Sequence, residues 1–177
     1  MNLMNLGKIG IAMTIAAGGL IAVATPAVAG TVLGGASVTN GARGTMDGKV
    51  VDGPVKVVIP KARGGSQFDI MAANINLPAN GGGIDWHTHP GPTFGIVTGG
   101  GTLTVIDDDC VEHEYETGDA FVAPVNPHTA RNYSTLPVTV RAAFFLPRTS
   151  PPAPPMPTIF VSEDADDVLD AYCGLAE

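Results

Sequence analysis

His87 and His89 stand one residue apart in the stretch WHTHPGP, and the chemistry this spacing offers is metal ligation. On an extended strand residues i and i+2 point to the same side. Two imidazoles can therefore reach one cation, provided a third ligand arrives from elsewhere in the fold. His128, in NPHTARN, is the third candidate. Neutral imidazoles suit Zn, Cu, Fe and Ni, whereas Mg or Ca would call for oxygen ligands. Three protein ligands also leave coordination positions open to water or a substrate. A surface pair on a barrel rim is the competing reading of the two histidines, and the Gly-rich, apolar surroundings and the Pro-Gly-Pro turn favour ligation. His113, in VEHEYE, sits among acids and reads as a solvated loop residue.

The elements that must position these residues are short β-favouring runs cut by Gly, Pro and Asn. They span Val50 to Ile59, Phe68 to Leu77, Phe94 to Thr98, Thr102 to Asp107, Ala120 to Ala123, Thr129 to Tyr133 and Val138 to Leu146. Regular short strands with turn signals between them indicate an all-β sandwich or barrel. In the last run Val138, Val140, Ala142, Phe144 and Leu146 share one face, so one side faces a core. The stretch Pro147 to Pro157 holds too many prolines for a helix or a central strand and is predicted to run as an extended strap along the surface. Beyond it, Ser162 with Glu163, Asp164 and Asp166 forms an N-cap and acidic first turn ahead of Val168, Leu169 and Tyr172, which predicts one short helix.

The first 29 residues read as an export signal, with Lys8 before an apolar run from Ile9 to Val23 and a small-residue Ala27-Val28-Ala29 site. The apolar run is shorter than the ~20 residues a spanning helix needs, which argues against an anchor. Removing residues 1–29 takes away Lys8 and no acid, so the net charge moves from −8 to −9. A negative field without a basic cluster argues against nucleic acid and anionic membrane surfaces as partners. The acids at 107–109, at 112, 114 and 116, and from Glu163 to Asp170 read as solvated faces. The expected organisation is a signal peptide at 1–29, a Gly-rich extension at 30–49, one barrel domain at 50–146, and strap plus helix at 147–177. The two cysteines, Cys110 and Cys173, fit one disulfide in the oxidising compartment that an exported, secreted protein meets.

Gly81, His87, His89, position 93 and Gly100 fall at the spacing G-x5-H-x-H-x3-E-x6-G, with Thr93 where Glu is usual. Gly118, Pro124, His128 and Asn132 match G-x5-P-x-G-x2-H-x3-N, with Asn126 in place of Gly and one residue fewer before the histidine. Over about residues 50 to 146 the chain thus resembles the cupins. WHTHPGP together with DDDC is similar to small exported cupins of actinobacteria. The resemblance implies a single β-barrel of jelly-roll type with a short C-terminal helix, a metal at the barrel centre, and pairing of barrels into a homodimer.

Without the carboxylate, His87, His89 and His128 would leave a divalent ion its full +2 charge, which favours an anionic or enolisable small-molecule ligand. This resembles the three-histidine iron sites of cysteine dioxygenases and diketone-cleaving cupins. Fe, Mn, Zn, Ni or Cu are the candidate cofactors. Thr93 can hydrogen-bond metal-bound water or substrate, and Asn132 either ends a strand or orients His128 as an outer partner. Asp85 is the nearest acid to the pair and the candidate general base, on the same strand face as His87 or exposed in a turn. Trp86 reads as wall or core packing. Two functions follow: metal-assisted, oxygen-dependent chemistry on a small anion, or a non-catalytic module that holds a small ligand or metal.

Overall fold

The chain alternates between residues that favour a pleated, half-buried surface and residues that turn it. In the computed structural model, which describes residues 32–51, 53–55, 57–59, 67–148 and 157–175, these runs are β1 Val32–Leu33, β2 Ser37–Asp47, β3 Lys49–Val51, β4 Val57–Ile59, β5 Gln67–Leu77, β6 Gly82–Thr88 and β7 Thr93–Gly100. They continue as β8 Leu103–Asp107, β9 Glu112–Tyr115, β10 Ala120–Val122, β11 His128–Asn132, β12 Val138–Pro147 and β13 Ile159–Phe160, followed by one helix, α1 Glu163–Cys173. The export signal expected at 1–29 and most of the Pro-rich strap lie outside the described residues. Among the described residues no helix is long and apolar enough to cross a membrane.

Two antiparallel sheets form the barrel. One runs β1-β6-β11-β8-β9, with β13 also paired to β6, and the other runs β10-β7-β12-β5-β2. The core lies between them, drawing Leu77, Val138 and Val140 from one sheet and Ile84, Leu103 and Val105 from the other. On β12 the alternation read from sequence holds, since Val138, Val140, Ala142, Phe144 and Leu146 are all buried. Each of the larger of these, Val138, Val140, Phe144 and Leu146, contributes about 1.5–3 kcal/mol by leaving water. The described residues therefore form an all-β jelly-roll with one short C-terminal helix.

Four details differ from the sequence reading. The Gly-rich lead-in before residue 50 includes an 11-residue strand, β2, paired along β5. The run from Val50 to Ile59 is two strands, because Gly53 and Pro54 break it into the β3–β4 hairpin. His113 lies on β9, exposed, with Nε2 3.4 Å from Asp107 Oδ2. The fourth concerns α1, which begins at the expected cap: the Ser162 side chain accepts a hydrogen bond from the Ala165 N–H. Its buried residues are Asp166 and Asp170, while Val168 and Tyr172 are 67% and 70% exposed. The acids expected to be solvated face inward because partners wait for them, as described below.

Gly81 and Gly100 show why glycine stands at the motif positions. Both have positive φ, 100° and 97°, a conformation that costs other residues a steric clash. At Gly100 an added Cβ would also overlap the Pro137 carbonyl oxygen. The two turns fix where β6 begins and β7 ends. Cys110, in the turn after β8, is bonded to Cys173 at the end of α1 across a sequence separation of 63. By the chain-entropy argument a loop of that length contributes about 4 kcal/mol.

Candidate metal centre

His87 lies near the end of β6, opposite His128 at the start of β11. His89 follows β6 just before the Pro90-Gly91-Pro92 turn, and its ring packs edge-on against Phe144 at 5.3 Å between centroids. The three rings converge, with centroid separations of 4.4, 4.9 and 5.0 Å. One ligand nitrogen from each lies within 4.8 Å of the other two. His128 Nε2 and His89 Nε2 are 3.3 Å apart. A metal held ~2.0–2.1 Å from each nitrogen at tetrahedral angles would place the nitrogens about 3.4 Å apart, so this pair already has the right separation.

The hydrogen bonds decide which nitrogens face the centre. Nδ1 of His87 meets the Asp85 carbonyl at 2.6 Å, Nδ1 of His89 meets the Pro157 carbonyl at 2.7 Å, and Nδ1 of His128 meets the Asn126 carbonyl at 2.9 Å. A carbonyl only accepts, so each Nδ1 carries the proton and each neutral ring keeps its Nε2 lone pair. The lone pairs repel one another unless a cation lies between them. Burial, the leading cause in all three, pushes the imidazoles down: His87 well below its ordinary value, with His128 and His89 beside it adding to the effect; His89 to about 4; and His128 in the same direction. At neutral pH the site is a set of uncharged donors.

The cavity they face has a volume of about 50 Å³, room for roughly three waters at ~15 Å³ each. Besides the histidines, its polar lining among the described residues is Thr93 and Thr158; Ile84, Leu103, Val105, Phe121 and Phe144 supply apolar wall. Thr93 is buried and its hydroxyl donates to the Gly91 carbonyl at 3.3 Å. Among the described residues no aspartate, glutamate, lysine or arginine lines this space.

The Asp85 carboxylate therefore points away from the cavity, although its carbonyl holds His87. The β6–β11 register shifts between His128 and Ala130, so that Asp85 and Trp86 together oppose Thr129. Such a bulge re-aims side chains. Ile84 and His87 both reach the cavity, and the two residues between them turn away, under α1. There Trp86 Nε1–H donates to Asp170 Oδ1 at 2.7 Å, and Arg131 lies 3.1 Å from Asp85 Oδ1 and 3.8 Å from Asp170 Oδ1. Asp85, Asp166 and Asp170 form a buried acidic group around this arginine. Asp85 is thus neither on the face of His87 nor exposed. The cluster was not legible in the sequence, because nothing local marks Arg131 as the partner of acids 40 residues away.

Of the two readings of Asn132, the strand end holds: it is the last residue of β11. It is fully buried at the far end of β11 from His128, and its amide donates to the carbonyls of Leu77, Pro78 and Leu136 at 2.8–3.0 Å. Its Oδ1 accepts from the Ser134 N–H and hydroxyl. It locks two turns together and does not orient His128; the Asn126 carbonyl does that. Asn132→Ala is expected to cost about 3 kcal/mol, since it strands several buried main-chain groups. Urea unfolding checks this, and metal affinity is expected to change far less than stability.

Residues 74–144 match the family described as Cupin domain. No curated protein matches the chain. Among solved structures it is similar to the polyketide cyclase RemF from Streptomyces resistomycificus, at 19% identity over 55% of this chain and 66% of that one, with a TM-score of 0.41. It is also similar to a cupin domain from Bordetella pertussis, at 18% identity over 43% and 80% with a TM-score of 0.38. The DMSP lyase DddQ from Ruegeria pomeroyi is 19% identical over 49% of this chain, with a TM-score of 0.39, and the chain spans only 42% of the lyase. With the motif glycines in their turns and three histidines inside one jelly-roll, residues 74–144 of this chain match a cupin domain.

Proposed function

We propose that His87, His89 and His128 hold one divalent transition metal, Fe, Mn, Zn, Ni or Cu, through their Nε2 atoms, in a secreted cupin whose residues 1–29 are removed on export. The observation that carries this reading is the set of three Nδ1–H to carbonyl bonds, which leaves each ring its Nε2 lone pair, on three imidazoles that bring one nitrogen each within 4.8 Å of the others. Metal-ligating histidines commonly donate their other N–H in this way. When bound, such an ion supplies Lewis acidity or oxygen activation at the open coordination positions.

The residues around it set what it can act on. The small cavity is walled mainly by apolar side chains, and none of the described residues lining it carries a cationic side chain to pair with an anion. A substrate would place its charged or enolised donor atoms toward the histidines and its hydrocarbon body against Leu103, Val105 and Phe121. This describes a small chelating anion with an apolar body better than a phosphate ester or a dicarboxylate. The Thr93 hydroxyl, which donates to the Gly91 carbonyl, can still accept a hydrogen bond from water or substrate. The second reading is a binding module without turnover, and the placement of Asp85 favours it: the acid nearest in sequence is paired with Arg131 outside the cavity.

Metal analysis of untagged protein tests the proposal. About one equivalent is expected in the wild type and none in the His87→Ala/His89→Ala variant. Equal, substoichiometric metal in both preparations would refute it. Oxygen-consumption screening with small acids and diketones then separates enzyme from binder.

A further inference from the structure

We infer that the Cys110–Cys173 disulfide controls the metal affinity of the three-histidine centre, because it retains the segment whose main chain orients His89. The inference rests on the metal reading above and goes beyond it. The strap was expected to run along the surface, but its described end enters the site. The Pro157 carbonyl accepts from His89 Nδ1 at 2.7 Å, and Thr158 lines the cavity. Phe160 lies against the His87 ring at 6.1 Å between centroids, and β13 pairs with β6 at Thr88 and His87. Of the three carbonyls that hold imidazoles, those of Asp85 and Asn126 come from two residues before the histidine they hold. Pro157 alone comes from 68 residues away.

What keeps that carbonyl in place is therefore what keeps residues 157–175 on the barrel. β13 is two residues long, with Val161 N–H donating to the Trp86 carbonyl at 3.1 Å just after it. The helix that follows covers Trp86 and half-buries Leu169, but its own buried residues are two aspartates and it leaves Val168 and Tyr172 in solvent, so much of its apolar surface gains nothing from docking. Desolvated acid–arginine contacts hold such an element weakly, because the cost of removing the charges from water opposes their attraction. Beside the buried Trp86–Asp170 hydrogen bond, the attachment at the far end of the helix is covalent: Cys173, at the last residue of α1, is bonded to Cys110 in the β8–β9 turn. Opening the bond frees the helix end and loosens β13. The Pro157 carbonyl then leaves Nδ1, and the His89 ring is no longer fixed with Nε2 toward the other two.

The test uses full-length protein in two forms. One is the Cys110→Ser/Cys173→Ser variant. The other is wild type reduced with a water-soluble phosphine, blocked with iodoacetamide and freed of reagent. In the reduction the phosphine attacks one sulfur and the S–S bond breaks. Water supplies the oxygen of the phosphine oxide and the two thiol protons. Zn²⁺ affinity is measured by chelator competition, and hydrogen exchange is followed over residues 163–173. Both open forms are expected to bind Zn²⁺ about 10–100-fold more weakly than the oxidised protein while their helix amides lose protection. Reduced wild type provides the reading if the double variant does not fold. Affinity within twofold of the oxidised protein, or helix amides that stay protected, overturns the coupling and leaves the metal centre standing. An oxidised wild type that binds no Zn²⁺, Co²⁺ or Fe²⁺ overturns the metal reading, and the coupling with it.

Discussion

Trp86→Ala is expected to lower the stability of the folded chain by about 4 kcal/mol, the range for emptying a large aromatic site. Trp86 is fully enclosed, wedged by the β6 bulge between the sheet and α1. The substitution creates a cavity and also removes the donor to the Asp170 carboxylate. Trp86→Phe separates the two effects: it keeps most of the ring volume and loses only the N–H, for about 2 kcal/mol. Urea unfolding followed by circular dichroism reads both, because Trp86 is the single tryptophan and its loss removes the fluorescence signal. If Trp86→Ala unfolded within about 1 kcal/mol of wild type, the ring would not be part of the core. Both effects are large against the 5–15 kcal/mol typical of a folded domain.

Acidifying the metal-free protein from pH 7 to pH 4 is expected to destabilise it by about 3 kcal/mol through His89 alone. The unfolded imidazole takes up its proton near 6.5, whereas burial holds the folded one down to about 4. Between those values the unfolded chain binds a proton that the folded chain does not, so stability falls as the pH falls and levels off below 4. His87 and His128 shift in the same direction and add to the slope. Asp69 and Asp107 act in a separate window. Asp69 is lowered despite the opposing desolvation by its bonds to Thr45 and Arg43, and Asp107 chiefly by the Val111 N–H, so their contribution is lost only below the histidine range. Unfolding midpoints measured at several pH values, for wild type and His89→Gln, check this; parallel slopes in the two proteins would sink it. A bound metal is expected to raise stability at pH 7 and to do so less as protons compete for the nitrogens.

The two experiments probe parts of the molecule that differ in how visible they were in the sequence. The spacing of His87, His89 and His128, the glycines at 81 and 100, the alternation of β12 and the Ser162 cap were all legible. Each is a local rule: a period of two along a strand, a positive φ that requires glycine, an oxygen side chain at a helix start. The jelly-roll could be expected from these features together with the resemblance.

What the sequence by itself determined is therefore which residues can bind a metal and what kind of barrel carries them. Only the tertiary structure decided how they are aimed. The bulge that sends Asp85 and Trp86 away from His87 arises from pairing β6 with a strand some 40 residues on. Asp170 turns inward because Trp86 and Arg131 wait beneath α1. The carbonyls that set the three imidazole tautomers belong to Asp85, Asn126 and Pro157, and a main-chain carbonyl is the same group at every residue. It leaves no mark in the sequence, so only folding shows which of them meets a histidine.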